Sequence, residues 1–126
     1  MHDLNAPIIC LLDDDLSVLK ALGRLLLSAG WHTEKFSDPE KFLLHAQTYR
    51  TPVAVFDVAM PLMNGLEVQS RLRQLSPFTR AIIFTGKDDQ SIRSAALNGG
   101  ASAFFTKPFD DEEFLTAVRS ALASAA

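Results

Sequence analysis

Five polar residues, set at wide spacings, carry the chemistry this chain could do: Asp13 and Asp14, Asp57, Thr85 and Lys107. Carboxylates gathered in one place repel, and two like charges about 4 Å apart cost roughly 4 kcal/mol at an effective dielectric near 20. If Asp13, Asp14 and Asp57 meet, Lys107 can offset only part of that repulsion. A hard divalent ion that prefers oxygen ligands, Mg²⁺ or Mn²⁺, would balance the remainder. Such a site is suited to receiving a phosphoryl group, because metal and lysine neutralise its oxygens during transfer. An Asp carboxylate can act as the nucleophile, forming an acyl phosphate, and the Thr85 hydroxyl can donate a hydrogen bond to a phosphoryl oxygen. Each residue alone has a plainer reading. The Asp13-Asp14-Asp15 run suits a helix N-terminus, Asp57 suits a turn before Pro61, and Thr85-Gly86 and Lys107-Pro108 suit loops.

The elements that must position them follow from the hydrophobic pattern. Short apolar runs alternate with amphipathic segments, which predicts an α/β fold with a parallel sheet. The first strand is expected over Ile8 to Leu12. A helix follows, with Leu16, Leu19, Leu22, Leu25 and Leu26 on its buried face, stopping near Ala29-Gly30. His32 to Phe36 reads as a polar edge strand, and Asp38-Pro39 starts the second helix. The continuous run Val53 to Phe56 reads as a strand covered on both faces and ends at Asp57. Gly65 to Leu75 is the third helix. Ala81 to Phe84 forms the fourth strand, and a helix runs from about Asp89 to Asn98. Ala103 to Thr106 forms the fifth strand. The last helix is capped by Asp110, with Glu113 at capping-box spacing, and its Ala-Ser-Ala-Ala end reads as frayed.

This pattern predicts a flavodoxin-like (βα)5 three-layer sandwich with strand order 2-1-3-4-5. In such a sheet ligands bind at the C-terminal ends of the strands, where the chain reverses direction. Asp13 and Asp14 follow strand one, Asp57 ends strand three, Thr85 strand four and Lys107 strand five. Convergence at successive strand ends, rather than any single residue, favours the phosphoryl reading.

Composition narrows the classes. The chain has 126 residues, room for one domain, here expected over 1–126 with a core of about 8–123. A formal net charge of −3 without a basic run argues against nucleic-acid binding by the chain itself. The lone Cys10 sits in an apolar run and reads as a buried thiol, so neither a disulfide framework nor a cysteine metal site is expected. His2, His32 and His45 lack ligand spacing. Trp31 is expected to pack on the sheet, and Met60 and Met63 to anchor a loop. No apolar stretch approaches the roughly 20 residues of a membrane span, and the start lacks a signal-peptide pattern, so a cytoplasmic location is expected.

Four segments carry a family likeness: Leu-Leu-Asp-Asp-Asp, Phe-Asp-Val-Ala-Met-Pro-Leu-Met-Asn-Gly, Ile-Ile-Phe-Thr-Gly and Phe-Phe-Thr-Lys-Pro-Phe. In this order they resemble the receiver domain of bacterial two-component response regulators, over nearly the whole chain. The resemblance implies that Asp57 takes phosphate from a sensor histidine kinase. It further implies that Asp13, Asp14, Asp57 and the backbone carbonyl of Ala59 organise Mg²⁺. Lys107 would contact the phosphoryl oxygens and be joined to Pro108 by a cis peptide. Thr85 and Phe104 would be a switch pair, the threonine moving to the phosphate and the ring turning inward. Ala59 and Lys87 fall where relatives tune autodephosphorylation, and self-association through helix 4, strand 5 and helix 5 is a family habit. Phe104 stands where many relatives have Tyr, so it brings no ring hydroxyl to the switch.

Two other classes compete. A phosphohydrolase of the haloacid-dehalogenase type also uses a strand-end Asp, but needs a second Asp two positions on, where this chain has Ala59. A stand-alone relay or interaction module would use the same surface without an attached effector. The receiver reading treats the domain as catalysing only its own phosphoryl transfer and autodephosphorylation, not as an enzyme. The segments also resemble receivers that precede DNA-binding modules, which points to transcription as the output.

Overall fold

The computed structural model describes residues 7–125. Residues 1–6, which hold His2 and on which the reading of the chain's start rests, and Ala126 lie outside them. In sequence order the elements are β1 (Ile8–Leu12), α1 (Leu16–Ser28), β2 (His32–Phe36), α2 (Pro39–Thr48) and β3 (Val53–Asp57). They continue as α3 (Gly65–Leu75), β4 (Arg80–Thr85), α4 (Gln90–Asn98), β5 (Ala103–Thr106) and α5 (Asp111–Ser124). The strands pair in parallel in the order β2-β1-β3-β4-β5, as expected.

Period-2 alternation divides the strand side chains between two cores. Ile9, Leu11, Val55, Ile82 and Phe84 face α1 and α5, where Leu19, Leu26, Phe114 and Val118 meet them. Cys10, Leu12, Phe56, Ile83 and Phe104 face the other side, against Phe42, Val68, Leu72 and Ala96 of α2, α3 and α4. Every residue of β3 is buried, which explains its unbroken apolar run. The edge strand β2 has no buried residue, which explains its polar one.

Helix starts are set by side-chain caps. Asp15, Asp38, Asn64, Asp89 and Asp110 each accept a backbone N–H of their own first turn, satisfying donors that the helix leaves unpaired. Gly30 and Gly100 close α1 and α4 with φ of +93° and +100°, the left-handed region glycine enters without strain.

Two expectations fail. Leu16 is 70% exposed rather than part of the buried face, because it occupies the first turn of α1, above the ends of the strands. The end of α5, as far as Ala125, is tied down rather than frayed. Arg50 and Arg80 donate to the carbonyls of Ala125 (3.2 Å) and Ser124 (3.0 Å), supplying partners for acceptors that the last turn cannot pair internally. No helix among the described residues is long and apolar enough to cross a membrane.

One close approach locks α3 to the end of β3. The Gly65 N–H donates to the Val58 carbonyl at 2.8 Å. A Cβ built on Gly65 would collide with the Asp57 carbonyl oxygen and come within 2.7 Å of Val58 Cα. Both are backbone atoms and cannot step aside cheaply. Gly65→Ala should therefore lower unfolding stability by about 1–3 kcal/mol in a urea titration. Gly86→Ala, where nothing lies within 4 Å of the added carbon, should change it by no more than about 0.5 kcal/mol.

Candidate functional site

Register brings the site together. β1 and β3 pair Leu12 with Phe56, so the next residues, Asp13 and Asp57, emerge side by side at the sheet's C-terminal edge. β4 pairs Phe84 with Asp57, and β5 pairs Thr106 with Thr85. Thr85 and Lys107 therefore lie one step beyond, over the same edge. The Lys107 N–H donates to the Thr85 carbonyl at 2.8 Å, and Lys107-Pro108 is a cis peptide.

Asp57 is only 7% exposed, and its two oxygens have different partners. The Ala59 N–H donates to Oδ1 at 2.9 Å, while Lys107 Nζ donates to Oδ2 at 3.2 Å, forming an ion pair. Lys107 Nζ also stands 4.6 Å from the centroid of the Phe84 ring. A face of negative potential thus supports the ammonium while it points at the carboxylate. This role of Phe84 was not readable from the sequence, where it is one more apolar residue of β4.

Asp13 is 2% exposed. Its Oδ1 accepts the Asp15 N–H at 2.9 Å, but its Oδ2 has no hydrogen-bond partner. Burial, with the charges of Asp57 and Asp14 adding to it, raises the Asp13 pKa to about 6 despite the bond from Asp15. Asp14, in contrast, is exposed. Its charge still reaches Asp13, although among the described residues no group of three acidic, His or Cys side chains is arranged to hold a metal ion. A buried oxygen without a donor beside a second carboxylate nonetheless fits a hard cation, which accepts oxygen ligands and leaves open positions to water. Ala59, whose carbonyl was named as a further ligand, is exposed beside Asp57.

Thr85 is 3% exposed, and its hydroxyl accepts the Lys87 N–H at 3.3 Å. The Lys87 residue itself is exposed. Phe104 is 7% exposed and packs in the core beneath α4, with the Arg93 guanidinium 5.7 Å from its ring centroid. The ring expected to turn inward is inward in this structure. Among residues that carried no assigned role, Asp15 caps α1 and supplies the N–H that fixes Asp13. Cys10 is buried, which pushes its thiol up to about 11 and leaves it protonated and inert.

Comparisons with known proteins agree on what this geometry resembles. The family model described as a response regulator receiver domain matches residues 9–119. Response regulator protein TodT of Pseudomonas putida is 41% identical over 118 residues, which are 94% of this chain and 52% of that protein. The chain thus spans about half the length of such curated relatives. Among solved structures, a CheY-like response regulator receiver domain protein from Methanospirillum hungatei is 25% identical with a TM-score of 0.89, covering 96% of this chain and 97% of that one. The beryllofluoride-activated NtrC4 receiver domain dimer is 26% identical with a TM-score of 0.88, covering 94% and 98%.

The raised pKa of Asp13 makes stability depend on pH with a definite sign. Its folded-state value of about 6 lies above the ordinary 3.8. The folded protein therefore holds its proton more tightly, and stability falls as pH rises between those two values. In metal-free buffer, Asp13→Asn should be more stable than the parent at pH 7 by about 1–2 kcal/mol, allowing for solvent screening. The difference should close toward pH 4. Thermal midpoints at the two pH values measure it, and a variant less stable than the parent at both would contradict it.

Proposed function

The chain belongs to the response regulator receiver domain family of two-component systems, and on that premise we propose that Asp57 is its phosphoryl acceptor and Lys107 the group that reads the phosphate. The observation that carries the proposal is the Asp57 carboxylate itself: buried, braced at Oδ1 by the Ala59 N–H, and paired at Oδ2 with Lys107. A carboxylate so held is oriented before its partner arrives, which lowers the entropic cost of an in-line attack.

The donor in this reading is a phosphohistidine of a sensor histidine kinase. An Asp57 oxygen bonds to phosphorus, the phosphorus–nitrogen bond breaks, and the imidazole nitrogen leaves with the electron pair and is protonated from water. Asp13, Asp14, Asp57 and the Ala59 backbone carbonyl are the groups that would hold Mg²⁺, which would supply charge neutralisation for the phosphoryl oxygens. Lys107 then exchanges its carboxylate partner for a phosphoryl oxygen, and the Thr85 hydroxyl leaves the Lys87 N–H to donate to another. Movement of Thr85 disturbs the face of β4 that also carries Ile83, whose neighbour on β5 is Phe104, giving the signal a route to α4. The domain acts on itself and is not an enzyme toward other substrates. Ala59 leaves the approach to Asp57 open to water, and with Lys87 it sets how long the phosphate lasts.

Docking of the kinase has a surface next to the acceptor. A groove of about 540 Å³, lined by Leu22, Leu25, Lys107, Pro108 and Phe109, opens between α1 and the start of α5. Exposed Leu16 lies in the first turn of the same α1. Transcription is the proposed output, through whatever segment completes a protein of the length of its relatives, and a cytoplasmic setting goes with this role. Self-association through α4, β5 and α5 is part of the same proposal, in line with the neighbour described as a dimer.

Acetyl phosphate with Mg²⁺ should label the parent with an acid-stable, base-labile phosphate, and Asp57→Asn should not be labelled. Labelling of that variant at an unchanged rate would refute the assignment. Beryllofluoride with Mg²⁺ should shift backbone amide resonances of β4, α4 and β5 in the parent, and Lys107→Ala should lose most of that response. A full response in Lys107→Ala would remove the lysine from the coupling.

A further inference from the structure

On the far side of the sheet edge from the acceptor groove lies a second concavity that the phosphoryl site does not use. It holds about 360 Å³ between α1 and the edge strand β2, within the range of small-ligand pockets. Lys20 and Arg24 reach it from α1, Lys35 from β2, and Trp31 and Thr33 complete the wall. No carboxylate among the described residues lies within 4.0 Å of Lys20, Arg24 or Lys35, since the ion pairs found there are Arg71–Glu40 and Lys107–Asp57. Three cations therefore share a concave surface without an ion-pair partner among the described residues, on a chain whose net charge is −3.

The local sequence keeps the cavity in this form. Gly23 interrupts α1 in mid-helix, where alanine would be better by about 1 kcal/mol. A Cβ there would come within 2.6 Å of Lys35 Cε and 3.0 Å of its Nζ. Glycine thus allows the Lys35 stem to lie across the helix and bring its ammonium to the floor of the groove. Trp31 lines the same wall, partly buried against the core, with the Arg119 guanidinium over its ring 5.6 Å from the centroid.

We propose that this groove binds a small organic phosphate that carries an aromatic ring, of the mononucleotide class. The cations match the phosphates, and the indole offers a stacking surface for the ring. A long polyanion fits less well: beyond the groove it would run along the surface of a net acidic protein and be repelled. The site is separate from Asp57, so a bound ligand would act as a second input alongside phosphorylation.

Trp31 is the only tryptophan in the chain, so its fluorescence reads this wall directly. The titrants are ATP, tripolyphosphate and adenosine, added to the intact protein in EDTA at low ionic strength and excited at the red edge of the indole band. ATP should change the emission saturably, tripolyphosphate should bind more weakly, and adenosine should have no effect. Lys35→Gln and Arg24→Gln should each weaken ATP by about tenfold or more. Gly23→Ala asks only the flexible end of Lys35 to move, so it should weaken ATP while leaving the thermal midpoint equal or higher. The proposal is overturned if ATP gives no saturable change, or if the two charge variants bind it as the parent does. It is equally overturned if a single-stranded oligonucleotide binds through the same cations more tightly than ATP, which would make the face a nucleic-acid surface.

Discussion

Parallel pairing of β1 with β3 forces two carboxylates, Asp13 and Asp57, out of the same edge of the sheet, where Lys107 is the one cation among the described residues that forms an ion pair with either. The rest of the molecule is arranged around that imposed repulsion. β3 is buried throughout and β1 from Ile9 to Leu12, so neither can slip in register to separate the pair without exposing its core residues. Gly65 presses α3 onto the Asp57 carbonyl, and Asp15 holds Asp13 through its N–H. The cost appears in two places: the raised pKa of Asp13 and its orphaned Oδ2. A fold maximising stability alone would have a neutral side chain there. Strain of this kind is common where a site is kept ready for a ligand.

The Asp57–Lys107 pair joins β3 to the loop after β5 across β4. Any group that takes Lys107 from Asp57 changes how that loop is held, and the Lys107 N–H bond to the Thr85 carbonyl carries the change to the end of β4. On one face of β4 lies Phe84, under the lysine ammonium; on the other lie Thr85 and Ile83, next to Phe104. A short chain of packed residues thus connects the carboxylates with α4. Phe104 lies inward under Arg93 in this structure, so a response by this ring would begin from a buried position.

Much of this was legible in the sequence because the signals were of the strongest kinds. Unbroken apolar runs marked β1, β3 and β4, and the polar run marked β2 as an edge. Aspartates and an asparagine stood at the helix starts, and chemistry-bearing residues stood at strand ends. What the sequence hid depended on side-chain direction. Leu16 fits the helical period yet lies over open space at the first turn. Asp14 shares a run with Asp13 yet is exposed where Asp13 is buried, a difference that an unbroken acidic run does not reveal. The end of α5 looks like a fraying end until Arg50 and Arg80, distant in sequence, are found on the carbonyls of Ala125 and Ser124. The Phe84 contact with Lys107 and the Gly23 contact with Lys35 are of the same type, since each depends on where a long side chain lies.

The proposal at the centre is that the carboxylate site around Asp13 and Asp57 is electrostatically incomplete and would be completed by a hard divalent cation. Its most direct test is the thermal midpoint of the metal-free protein at neutral pH, titrated with MgCl₂ against an ionic-strength control of KCl. A saturable rise with Mg²⁺ beyond that in KCl, present in the parent and lost in Asp57→Asn, is the result expected from preferential binding to the folded state. A midpoint that follows ionic strength alone, or a rise that survives in Asp57→Asn, would contradict it.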